Sequence, residues 1–202
     1  MPTAWSYGVR AGKKLSVFAT PSAESGYGRP IQQAITWFNQ QKMGVTLVRA
    51  QAEKDCHIRI EARDGTVTGG SQQDEIQKDV VNGLYFRDGD KAWIYVPLTP
   101  KVQAAVRQAH GDILRIPRLA GDPVKMFMIA HELLHCAGLD QEDHTPPQHG
   151  DVFTGEGNWV PEAGASAAHD QMNLSGQVGF QMRQPPLSLH PSTKTKLMTV
   201  WG

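Results

Sequence analysis

Residues 56–62 carry the cleanest pattern in the chain. Cys56, Ile58, Ile60 and Ala62 fall on one side, and His57, Arg59 and Glu61 on the other. Strict two-residue alternation predicts a strand with one buried face. Residues 45–48, Val-Thr-Leu-Val, and residues 91–96, with Trp93, Ile94, Tyr95 and Val96, predict two more strands from their β-branched and aromatic content. A helical period appears at Ile31, Ala34, Ile35 and Phe38, spaced i, i+3, i+4, i+7, and predicts a helix that opens at Pro30 and stops at Gly44. Gly65, Gly69 and Gly70 predict a loop. Beyond Pro97, Thr99 as N-cap with Pro100 leads into Val102, Ala105, Val106 and Ala109, which predicts a second helix. The third is the most legible: Asp122 as N-cap, Pro123 at the first helical position, apolar residues through to Ala137, and Gly138 as the C-cap glycine. Residues 140–191 are dominated by Gly, Pro, Asn, Asp and Ser and predict irregular structure, before a short last helix over 191–200 that starts near Ser192 or Thr193.

At 202 residues the chain has the length of one domain with a full core, and it shows no internal repeat and no linker, so a single α+β domain over 1–202 is expected. Hydrophobic residues at 40% and charged residues at 20% fit a folded, soluble domain. Lys+Arg and Asp+Glu balance at 20 each, which removes the electrostatic reason to expect nucleic acid or an anionic membrane as partner. No apolar run approaches the roughly 20 residues that span a bilayer, and Met1-Pro2-Thr3-Ala4-Trp5 lacks the regions of a signal peptide. A cytoplasmic protein, or one exported by a non-classical route, is the expectation. The two cysteines, Cys56 and Cys136, are too few for a disulfide scaffold and read as small buried hydrophobes, with a single bridge between them as the alternative.

The third helix carries the chemistry. In His131-Glu132-Leu133-Leu134-His135 the two histidines stand four apart, so their side chains leave one face about a turn from each other. Two imidazoles so placed can ligate one zinc ion, with Glu132 beside the metal as the base acting on its water. The bland alternative is a helix with two surface or capping histidines.

Extended to His131-Glu132-Leu133-Leu134-His135-Cys136-Ala137-Gly138, the motif resembles that of the metzincin clan of zinc peptidases. There a glycine turns the chain so that a histidine three residues on becomes the third ligand. Gln141 stands at that position here, a departure; His144 follows three residues later and is taken as third ligand in a longer loop. Six residues separate Gly138 from His144, a reach of up to about 20 Å. Asp140 and Asp143 compete as oxygen ligands, with His149 and Asp151 more distant. Further stretches resemble the matrixin-like branch: residues 56–61 its central strand, Gly83-Leu84-Tyr85-Phe86 its substrate-binding edge, Gln171-Met172-Asn173-Leu174-Ser175 the turn whose methionine underlies the metal, and residues 197–202 its final helix.

The resemblance implies a metzincin-like fold: a twisted mixed sheet, an active-site helix, and an irregular C-terminal part ending in a helix. It implies a zinc-dependent endopeptidase with Glu132 as general base, one catalytic zinc on His131, His135 and His144, Met172 beneath it, and a protein or peptide substrate lying extended along Gly83, Leu84 and Tyr85. The side-chain pocket after the cleaved bond is expected around residues 176–186. Two other readings stand beside it. One is a gluzincin-type peptidase with Glu156 or Glu162 as third ligand; the other is a non-catalytic protein stabilised by zinc.

Overall fold

The computed structural model describes residues 5–79, 81, 83–107, 113–139, 189 and 191–202. Along the chain run α1 (Tyr7–Gly12), β1 (Lys14–Ala19), α2 (Pro21–Gln40), β2 (Thr46–Arg49) and, after a 3-10 turn, β3 (Ile58–Ala62). Two short strands, β4 (Gly65–Gly69) and β5 (Gln72–Ile76), precede β6 (Leu84–Asp88) and β7 (Lys91–Val96). Another pair, β8 (Lys101–Arg107) and β9 (Ile113–Leu119), leads to α3 (Asp122–Ala137), and α4 (Pro191–Trp201) closes the described chain. The architecture is mixed α+β.

The central sheet has the order β2-β1-β3-β7-β6, with β6 the sole antiparallel member and its outer edge unpaired among the described residues. Alternation decides which face is which. Leu15 and Val17 of β1, Ile58 and Ile60 of β3, and Ala92, Ile94 and Val96 of β7 are buried in one core with the apolar sides of α2 and α3. The intervening Tyr95, with Phe86, joins Val67 and Ile76 in a smaller cluster where the β4–β5 hairpin covers the other face. The expected strands over 56–62 and 91–96 are present, the first shortened to Ile58–Ala62.

Three expectations are corrected. The helix assigned to start at Pro30 starts nine residues earlier, at Pro21. Thr20 is its cap, accepting from the Ala23 N–H at 3.4 Å. Gly26 and Gly28 dilute the apolar signal of its first turns, so the period becomes visible only after Pro30. Proline inside a helix removes one backbone donor, and here that leaves the Gly26 carbonyl without its i+4 partner. Lys125 of α3 takes the place: its Nζ donates to the Gly26 carbonyl at 2.9 Å and lies 5.0 Å from the centre of the Tyr27 ring. The defect in α2 thereby becomes a bond to α3.

The glycine-rich stretch read as a loop is instead the β4–β5 hairpin, with Val67 and Ile76 turned inward. The helix expected after Thr99 is the strand β8, paired with β9 from Lys101↔Leu119 to Arg107↔Ile113. Seven residues with Val102, Ala105 and Val106 satisfy a helical period by accident, and a partner strand supplies the backbone bonds that decide the outcome. Thr99 caps nothing; its hydroxyl donates to Asp79 at 2.9 Å. The last helix runs Pro191–Trp201, close to the expected 191–200, and buries Leu197 and Trp201.

If Lys125 compensates for Pro30, replacing it with methionine should cost about 1–2 kcal/mol of unfolding free energy. The same substitution made together with Pro30→Ala should cost distinctly less, because an alanine at position 30 brings its own N–H to the Gly26 carbonyl. Equal losses in both backgrounds, read by denaturant unfolding, would contradict this account.

Candidate metal centre

Helix α3 starts one residue before the expected place. Gly121 is the cap, and Asp122 is the first helical residue, 3.8 Å from Arg29 across an exposed surface. From Phe127 to Ala137 every residue is buried. The three polar members of that run are deep in the protein: His131 is 7% exposed, Glu132 6% and His135 3%. Ionisable groups are rarely carried that far inside without a partner or a task.

The two imidazoles converge. Nε2 of His131 and Nε2 of His135 face each other at 3.1 Å, with the rings edge-on at 74°. Nδ1 of His135 lies 2.9 Å from the Leu139 carbonyl, which can only accept, so the proton of His135 is on Nδ1 and its Nε2 lone pair points at His131. Tyr85 of β6 stacks flat on the other side of His135, ring centres 4.5 Å apart and 3° from parallel. Phe127 flanks His131 at 6.4 Å. Two nitrogens bound to one tetrahedral ion at about 2.0–2.1 Å each stand roughly 3.3 Å apart, so the observed separation fits a shared zinc. The second-ring hydrogen bond to a backbone carbonyl is the usual orientation device for a metal-bound imidazole.

Glu132 lies against Gly83, the residue before β6. A Cβ at position 83 would stand 2.6 Å from Oε1 and 2.7 Å from Cγ of Glu132, so only glycine allows this approach. Burial pushes the Glu132 carboxyl up to about 8. Of the residues expected along the substrate edge, Gly83 and Tyr85 thus meet the helix. Leu84 packs with the smaller cluster on the opposite face.

Termination of α3 completes the geometry. Gly138, at φ +120°, turns the chain; its N–H donates to the His135 carbonyl at 2.9 Å, and the Leu139 N–H to the Leu134 carbonyl at 3.1 Å. The indole N–H of Trp5 donates to the Cys136 carbonyl at 2.9 Å and that of Trp201 to the Ala137 carbonyl at 2.7 Å. Neither indole was singled out from the sequence as part of the site. The usable signal was that a buried indole needs an acceptor and a helix end has spare ones.

His144, the competing Asp140, Asp143, His149 and Asp151, the alternative Glu156 and Glu162, Met172 and the pocket at 176–186 all lie outside the described residues. Among the described residues no group of three His, Cys, Asp or Glu side chains forms a metal cluster. Cys56 and Cys136 are free buried thiols, not a bridge. Burial, with Glu132 as the next contribution, pushes the Cys136 thiol well up. Among the described residues no helix is long and apolar enough to cross a membrane.

Neither a protein-family model nor a curated protein sequence matches this chain.

The Gly83–Glu132 contact has a measurable consequence. Gly83→Ala should destabilise the fold by about 1–3 kcal/mol through overpacking, and the penalty should largely vanish alongside Glu132→Ala. Were the loss the same with and without the Glu132 side chain, the close approach would not be its source.

Proposed function

We propose that the protein is a zinc-dependent endopeptidase of the metzincin type, matrixin-like in its organisation. The observation that carries this reading is the facing pair of Nε2 atoms, 3.1 Å apart, on a buried helix whose intervening position is a buried glutamate. A zinc site with a purely structural role gives no reason to bury Glu132. The carboxyl is nearly sealed from solvent and seated against a position that only glycine can occupy, an arrangement that suits a catalytic group. The mixed sheet supports the same reading, because the edge strand β6 runs beside the helix and brings Gly83 and Tyr85 against Glu132 and His135.

His131 and His135 would hold the ion through Nε2, and His144 is the proposed third ligand, with Met172 beneath. A bound zinc supplies a Lewis acid for the scissile carbonyl, an acidified water, and a positive charge that favours the ionised form of Glu132. The remaining work falls to the chain's own groups. Glu132, seated against Gly83, takes the proton of the attacking water on a carboxylate oxygen and delivers it to the leaving amine. The Nδ1–H of His135 stays donated to the Leu139 carbonyl throughout. β6 is the last strand of the sheet among the described residues, and an extended peptide laid along it as an added strand is the binding mode we propose for the substrate.

Purified protein should contain about one zinc per chain. Glu132→Gln should keep that zinc and its fold while hydrolysis of an unfolded fluorescent protein substrate drops by about 10²–10⁴-fold in kcat. A Glu132→Gln variant as active as the parent would overturn the assignment.

A further inference from the structure

Trp5 and Trp201 lie at opposite ends of the described chain, yet their indoles meet the same turn of α3. They donate to consecutive carbonyls, Cys136 and Ala137, directly after His135. Both rings are nearly sealed from solvent, at 1% and 3% exposure, so water cannot substitute for either donor. Each ring is itself held. Trp5 is edge-on to His57 at 5.9 Å and lies under the Arg87 guanidinium at 5.3 Å. The backbone of Trp201 is fitted against Gly44, where a Cβ would come within 3.1 Å of Trp201 Cβ. Val200 next to it sits against Gly138, 3.3 Å from where a Cβ there would be.

The Leu139 carbonyl that holds Nδ1 of His135 comes one residue after Gly138, so its position depends on how this turn ends. Filling space would be served as well by phenylalanine. An indole adds a single directed donor, and here two of them go to the two carbonyls of the last turn that the backbone N–H groups of Gly138 and Leu139 do not reach.

We infer that Trp5 and Trp201 are positioning residues of the metal centre, fixing the final turn of α3 so that the Leu139 carbonyl sets the plane of the His135 imidazole. The inference rests on reading His131 and His135 as metal ligands. Groups that orient a metal-bound imidazole through its second nitrogen typically matter about 10–100-fold for affinity, and these indoles act one bond further out.

The test is zinc affinity, measured by competition with a chromophoric chelator, in Trp5→Phe and Trp201→Phe. Each should bind zinc about tenfold more weakly or worse. Leu47→Ala, on the sheet edge farthest from β6, should lower thermal stability while leaving affinity at the parent value. Trp→Phe variants that lose stability but bind zinc as the parent does would overturn the inference. A parent protein that binds no zinc would instead overturn the reading of the site itself. A second measurement needs no variant to fold in quantity: coupling is reciprocal, so zinc should slow solvent exchange of the Trp5 and Trp201 indole N–H protons and leave that of Trp93, on the opposite sheet face, unchanged. Equal exchange with and without zinc at the two indoles contradicts the proposal.

Discussion

An α-helix ends with carbonyl groups that its own backbone cannot satisfy, and a helix that ends inside a protein must find donors for them. This requirement organises the structure around α3. Because His131, Glu132 and His135 are buried, the last turn of the helix is buried too, and four donors from three places meet it: the N–H groups of Gly138 and Leu139, and the indoles of Trp5 and Trp201. Both ends of the described chain are thereby fastened to one turn. Gly138 could not be replaced cheaply, since its φ of +120° strains any side chain and a Cβ there would also press on Val200 at 3.3 Å.

The other end of the helix is fastened by a different compensation. Pro30 opens a gap in the backbone bonding of α2, and Lys125 fills it from α3. The same helix is thus held at its start by a cation on a spare carbonyl and at its finish by indoles on spare carbonyls. Between these two anchors lie the facing imidazoles and Glu132. Their positions are set from the sheet side by Gly83, which leaves room for the carboxylate, and by Tyr85, which lies flat on His135. In the proposed zinc site, contacts of this kind would hold the two imidazoles in place for an ion.

Local features were legible in the sequence. The alternation of β3, the aromatic run of β7, the extent of α3 with its C-terminal glycine, and the last helix all follow from patterns within a few residues. The i, i+4 pair His131 and His135 belongs to the same class, because one turn of helix is enough to juxtapose them. Features decided by distant partners were not. Residues 101–107 match a helical period locally, and β9, which completes the hydrogen bonding of β8, is a partner that sequence periodicity does not weigh. The β4–β5 hairpin was hidden by its glycines and polar residues, and the first turns of α2 by Gly26, Gly28 and Pro30. Gly83 and Tyr85 were singled out as substrate contacts, but the contacts they make with Glu132 and His135 depend on where the sheet edge lies against α3. The caps by Trp5 and Trp201 span 131 and 64 residues of sequence and have no local signature.

The central claim is that Nε2 of His131 and Nε2 of His135 share one zinc ion with a third imidazole from His144. X-ray absorption at the zinc edge, on protein purified without added metal, tests this directly. The account predicts three imidazole nitrogens and one oxygen at about 2.0–2.1 Å, falling to two imidazoles in His144→Ala. Protein that contains no zinc, a sulfur ligand in the parent spectrum, or a coordination shell unchanged by His131→Ala would contradict it.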